Sequence, residues 1–227
     1  MAVKYEDLLP EILPGVRNCP DSTIEQHIRS AVIDMCEKTE IYQAELDPVT
    51  SLSGIYEYDL EPPSGTTVHR IRHVIYDGTS LEPISSGLLE QRQPKWRDED
   101  GTPEYFIKQG QSRFWLVPIP NETKANAVIL RAVLKPSHES TACDDYIMND
   151  FRDTIVNGAL TRLLRVPRRD WTDYQAAAVY NSLYEEQLGR VAKRAKEADS
   201  PVVAKVRYGG LQRGRPVRKY ESKKTFI

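Results

Sequence analysis

The 227-residue chain is poor in the residues that make metal centres and redox sites: three cysteines, Cys19, Cys36 and Cys143, and four histidines, His27, His69, His73 and His138. Cysteines so few and so irregularly spaced form neither a disulfide framework nor a Cys-x-x-Cys metal knuckle, which fits a reducing compartment. There is no apolar run long enough to span a bilayer, which needs about 20 residues. The opening MAVKYEDLLPEIL places acids where a secretory signal would be basic and apolar, so neither export nor a membrane partner is expected. Three glycine signatures of catalysis are also missing: Gly-x-x-x-x-Gly-Lys-Ser/Thr, Gly-x-Gly-x-x-Gly after a strand, and Gly-x-Ser-x-Gly. Neither a cofactor nor a metal is expected.

What is present is an ordinary globular composition, 40% hydrophobic and 28% charged. The charge is unevenly placed. Residues 200–227 hold eight Lys/Arg (205, 207, 213, 215, 218, 219, 223 and 224) against Glu221, so this segment carries +7 and leaves −9 on residues 1–199 of a chain whose total is −2. An acidic body with a basic extension implies that the extension has a partner.

The apolar pattern divides the chain. Leu8, Leu9 and Ile12 share one side of a short helix ended by Pro14 and Gly15. Ser22 and Glu25 have capping-box spacing, and Ile24, Ile28, Ala31, Val32 and Met35 form a stripe, predicting a helix from about Thr23 to Lys38. From Ile41 to Pro136 the period falls to two in short runs rich in β-branched and aromatic residues. Asp77-Gly78 marks a tight hairpin there, and Ser53-Gly54 and Gly110 mark further turns. Within SGLLEQRQPKWRDEDGTP we expect a turn of helix at Leu88–Gln91 and then an exposed loop.

Helical spacing returns at Met148, Phe151, Ile155, Ala159 and Leu163, and Pro167 closes it. The short link to Trp171 makes the next helix an antiparallel neighbour. That last helix is predicted to start at a Thr172/Gln175 capping box and to bury Tyr180, Tyr184, Leu188, Val191 and Ala195. At about 1.5 Å per residue it is a rod of about 40 Å.

The expected fold is α+β: an antiparallel helical bundle with an inserted antiparallel β module and an extended C-terminal arm. The expected divisions are 1–40 for the N-terminal helices, 41–136 for the β module, 137–199 for the closing helical pair, and 200–227 for the basic arm.

Candidate catalytic groups are weak. His69 and His73 lie four apart in a β run, about 13 Å along a strand, which is too far for one metal. Asp144, Asp145, Asp150 and Asp153 could gather Mg²⁺ in a hydrolase, but capping of a helix N-terminus explains the same acids. His138 and Cys143 could pair as base and nucleophile, yet nothing orients them. The protein is read as a non-enzyme. In the arm, Lys205, Arg207, Arg213, Arg215, Arg218 and Lys219 are interleaved with Tyr208, Tyr220, Phe226 and Ile227. A solubilising disordered tail is one reading of that composition. The aromatic groups favour either phosphate binding with base stacking, or docking on a protein.

The ordered set Asp7-Leu8-Leu9-Pro10, Cys19-Pro20, the helix from Ile28 to Thr39, Glu45-Leu46-Asp47-Pro48, Tyr58-Asp59-Leu60, Pro62-Pro63-Ser64-Gly65, Tyr76-Asp77-Gly78, Asn157-Gly158-Ala159-Leu160 to Leu164, Pro167 and Trp171 resembles the head-to-tail connector (adaptor) proteins of tailed bacteriophages. The resemblance implies a structural virion protein at the neck between capsid and tail. It implies a homo-oligomeric, dodecameric ring bound to the portal protein and to a tail tube or nozzle protein, with packaged DNA passing through its lumen. It also implies that the arm residues above dock on the portal. The alternative from the residues alone is a nucleic-acid-binding protein that uses the basic arm.

Overall fold

The structure, a computed structural model, describes residues 2–199. The chain opens with β1 (Ala2–Lys4) and a 3₁₀ turn, then α1 (Leu9–Ile12) and a second 3₁₀ turn at Leu13–Gly15. Leu8 and Ile12 are fully buried, as their spacing predicts. Helix α2 (Asp21–Thr39) buries Ile24, Ile28, Ala31, Val32 and Met35. It starts two residues before the expected position, behind Pro20, and its first turn has no side-chain cap, so the Ser22/Glu25 box is not formed. Glu40 ends it in the left-handed region, φ 53°, donating its N–H to the Cys36 carbonyl at 3.0 Å.

Strands follow: β2 (Gln43–Glu45), β3 (Val49–Ser51), β4 (Glu57–Asp59), β5 (Thr66–Tyr76), β6 (Thr79–Ser80) and β7 (Glu82–Pro83). Then come α3 (Ser86–Arg92), a 3₁₀ turn at Trp96–Asp98, β8 (Asp100–Gly101), β9 (Tyr105–Gln109), β10 (Arg113–Val117), β11 (Ile119–Pro120) and β12 (Lys124–Pro136). After β13 (Ala142–Asp144) the chain is helical: α4 (Asp145–Asp150), α5 (Arg152–Leu163) and α6 (Tyr174–Asp199). One sheet has the order β2-β12-β5-β6 with β3 also on β12, another β4-β10-β9-β7. The hairpin at Asp77-Gly78 is formed, with φ of 47° and 82°, and Tyr76 faces Thr79 across it.

The expected fold class has to be corrected. The protein is mixed, 42% helical and 29% strand, with several sheets including a half-barrel, and is not a bundle carrying a small insert. The physical reason is that the strands bury their own cores. Leu46, Tyr58, Val74, Phe114 and Leu130 belong to one, and Leu89, Trp96, Ile107 and Val117 to another, both apart from the core that α2, α5 and α6 enclose. Nor is the pairing wholly antiparallel, since β7 on β9 and β8 on β11 run parallel. A further sheet, β1 with β13, stands within stretches expected to be helical. The extended arm of the expected fold lies outside the described residues.

Strand β5 carries two bulges against β12. Ile71 faces Ala132 while His73 faces Arg131, and Val68 faces Leu134 while Arg70 faces Val133, leaving Arg72 and His69 as extra residues. The side chain of Lys108 on β9 donates to the Val68 and His69 carbonyls at 3.1 and 2.8 Å, tying the two larger sheets together at the bulge. At the junction of helix and sheet, Glu40 receives Arg70 at 3.1 Å and Arg72 at 2.6 Å, and Lys135 meets Glu37 at 2.5 Å.

Candidate functional site

The residues assigned to portal docking, Lys205, Arg207, Tyr208, Arg213, Arg215, Arg218, Lys219, Tyr220, Phe226 and Ile227, lie outside the described residues. What the structure does describe is the helix they follow. Helix α6 buries Ala177, Tyr184, Leu188, Val191 and Ala195, with Tyr180 packed partly buried beside them, so its predicted face is the observed one. Its start is displaced by one residue. Asp173, not Thr172, is the cap: its Oδ1 accepts from the N–H groups of Gln175 and Ala176, both at 2.9 Å. Thr172 instead closes the preceding turn, accepting from Arg169 N–H and donating to the Val166 carbonyl.

The crossing of α2, α5 and α6 is held by a polar network at the edge of the apolar core. The Tyr184 hydroxyl donates to Asp34 Oδ2 at 2.8 Å, and Lys38 and Arg162 approach the same oxygen at 3.1 and 3.2 Å. Burial pushes the Asp34 carboxyl up. The Tyr184 and Lys38 hydrogen bonds and the Arg162 charge outweigh it and hold the group below the usual aspartate range. The Tyr184 phenol is pushed up, first by burial and then by the carboxylate beside it. Gly158 of α5 lets the Tyr184 ring sit against the helix backbone. Asn157 of α5 donates to Gln187 of α6 at 3.0 Å, and Arg194 of α6 meets Asp150 at the end of α4 at 2.7 Å, consistent with α6 running antiparallel to α5 as the short link requires.

The first half of α6 also carries exposed apolar side chains. Tyr174 is 62% exposed, Val179 61% and Leu183 42%. Beside them runs a groove of about 390 Å³ between α6 and the segment after α1, lined by Pro14, Gly15, Leu164, Trp171, Ala176 and Tyr180 among others. Sequence reasoning did not single out this surface, although Val179 and Leu183 stand four apart on the polar side of the predicted helix and were a readable signal.

The weaker catalytic candidates are dispersed or already employed. Cys143 is buried and its thiol is pushed up to about 12 by burial, which keeps it protonated and a poor nucleophile. Asp144 accepts from Tyr146 N–H at the start of α4, the capping role foreseen for it, and Asp150 is paired to Arg194. Among the described residues no group of three or more His, Cys, Asp or Glu could hold a metal ion, and no helix is long and apolar enough to cross a membrane.

Comparison with known families shows what kind of protein this body belongs to. The profile of the SU10 adaptor protein family matches residues 3–206. The chain belongs to that family. No curated protein matches it. Membership makes the adaptor a structural component of the phage particle that meets other virion components, as the ordered motifs from Asp7 to Trp171 imply. The family match covers all but the first described residue of the adaptor and reaches seven residues beyond the last, to residue 206.

Proposed function

We propose that the protein is the adaptor ring joining portal to tail, a dodecamer through which packaged DNA passes, with residues 200–227 docking on the portal. In this reading the segments 1–40, 41–136 and 137–199 make the ring body. The observation that carries it is the match to the SU10 adaptor protein family together with the separation of charge, −9 on residues 1–199 and +7 on the segment that follows a 26-residue helix. An acidic body suits a channel wall, because like charge keeps phosphates from forming contacts that would hold DNA in place. The basic segment with Tyr208, Tyr220 and Phe226 supplies cationic and aromatic anchors for an acidic protein surface. At about 3.4 Å per extended residue it can reach roughly 90 Å, beyond one neighbouring subunit.

Deleting residues 201–227 tests this. The truncated chain should fold with an unchanged circular dichroism spectrum and fail to join portal rings in native mass spectrometry, whereas the full chain joins them as a large ring. Unimpaired attachment removes the arm from the mechanism. Salt-sensitive binding of the full chain to duplex DNA that the deletion abolishes would instead establish the nucleic-acid-binding reading.

A further inference from the structure

Residues 85–98 cross the face of the sheet formed by β4, β10, β9 and β7 in an unusual manner. Nearly every side chain of the segment is exposed or half-exposed, and only Leu89 and Trp96 are fully buried. Both enter the small aromatic core with Ile107 and Val117, against which Tyr56 and Trp115 pack. Trp96 stacks on Trp115 with ring centres 5.6 Å apart and meets the edge of Tyr56 at 5.3 Å.

The polar bonds of the segment do not reinforce this anchorage. Leu89 N–H goes to the Ser85 carbonyl, Gln93 N–H to Leu89, Trp96 N–H to Gln93 and Asp98 N–H to Lys95. Ser85 caps α3 through its own hydroxyl, and the ion pair of Arg97 is with Glu90. All of these begin and end inside 85–98. The links to the body lie outside it, at Ile84 N–H on Phe106, Ile119 N–H on Glu99 and Asn121 N–H on Gly101. Two buried atoms of the segment, Trp96 Nε1 and Gln93 Oε1, have no hydrogen-bond partner among the described residues, whereas Trp115 Nε1 on the sheet donates to Glu57 at 3.1 Å. The closed segment therefore gives these two groups no protein partner, and they add nothing to its attachment.

We infer that residues 85–98 form a strap that detaches as a unit from the folded adaptor, pivoting at its paired ends and uncovering the aromatic surface of Tyr56, Trp115, Ile107 and Val117. Its two anchors are lost together, and a helix as short as α3 does not hold its own hydrogen bonds without them, so opening is a subglobal event that frees the amides of 86–98 and does not require the sheets to unfold.

Hydrogen exchange followed by mass spectrometry on the full chain tests this. Amides of 86–98 should exchange at least about 100-fold faster, relative to their intrinsic rates, than those of β9 and β10 (residues 105–117). Trp96→Ala should bring the strap to near-intrinsic exchange and leave protection of the α2, α5 and α6 amides unchanged. Because loss of Trp96 could disturb the sheet, Gly87→Ala provides a second arm. Its added Cβ meets nothing within 4 Å, and it strengthens α3 without touching the anchors. Because the strap exchanges only when α3 melts on opening, this variant should slow its exchange about fivefold, and unchanged exchange would overturn the proposal. Equal protection of 86–98 and 105–117 in the unmodified chain would overturn the proposal.

Discussion

Two glycines inside helices should respond to the same substitution with opposite signs. At Gly158 an added Cβ would lie 2.8 Å from Tyr184 Cε2, 3.1 Å from Cδ2 and 3.1 Å from the Ala31 Cβ. Carbon atoms reach their best separation near 3.5–4.0 Å, so the side chain needs about 0.7 Å that the site does not have. The ring cannot move away freely, because it is buried and its hydroxyl is tied to Asp34 at 2.8 Å. Overpacking of this kind costs about 1–3 kcal/mol, and the better helix propensity of alanine offsets about 1 kcal/mol of it. Gly158→Ala should therefore lose up to about 2 kcal/mol in urea unfolding followed by circular dichroism. Gly189 of α6 has nothing within 4 Å of the same position, so Gly189→Ala should gain about 0.5–1 kcal/mol. A Gly158→Ala protein as stable as the Gly189→Ala protein would refute the close approach of α5 to Tyr184.

Three further outcomes follow from the same structure. The Asp34 carboxyl is held below its ordinary range, so the stability it contributes is complete above its unfolded value near pH 4 and is lost as pH falls through the lower folded value. Asp34→Asn should cost about 1–3 kcal/mol at pH 7, and urea midpoints of the two proteins should converge as pH falls below the ordinary aspartate range. Lys108→Met removes the donor shared by the Val68 and His69 carbonyls and should lower stability by about 1–3 kcal/mol; an unchanged midpoint would mean that water replaces it fully. Asp173→Ala should cost about 1 kcal/mol while Gln175→Ala stays within about 0.5 kcal/mol, the reverse of what a Thr172/Gln175 box requires.

The helices were largely legible because their evidence is local. The stripe from Tyr180 to Ala195 needs only a period of 3.6 to be seen. Asp77-Gly78 was legible for a similar reason, since positive φ at both positions is a property of the dipeptide. The interior of β5 was not. TVHRIRHVIY reads as an alternating strand, yet its buried residues are Val68, Ile71, Val74 and Tyr76, at spacings of three, three and two. The two bulges that stretch the period are set by the facing residues of β12, some sixty positions away. The β1–β13 pairing is three residues long on each side and joins chain segments almost 140 positions apart, so no window of sequence contains it. Trp96 sits among charged and polar neighbours and reads as part of an exposed loop; its burial depends on Tyr56 and Trp115 arriving from other strands. The cap of α6 was misplaced because Thr172 and Asp173 are both good N-caps, and the bond from Thr172 to Val166 decides between them.

The lengthwise contact of α6 with α2 and α5 has a mechanical meaning. Its buried side chains run from Ala177 to Ala195, about 27 Å of axis at about 1.5 Å per residue, and the arm leaves from the Asp199 end. Tension applied there along the axis loads this whole row in shear, so Ala177, Tyr184, Leu188, Val191 and Ala195 resist together. A sideways pull meets them one at a time, beginning at Ala195. Force passed into α2 reaches the sheets through Glu37 and Glu40, whose partners Lys135, Arg70 and Arg72 stand on β12 and β5. The body is thus strongest against a pull along the line of α6.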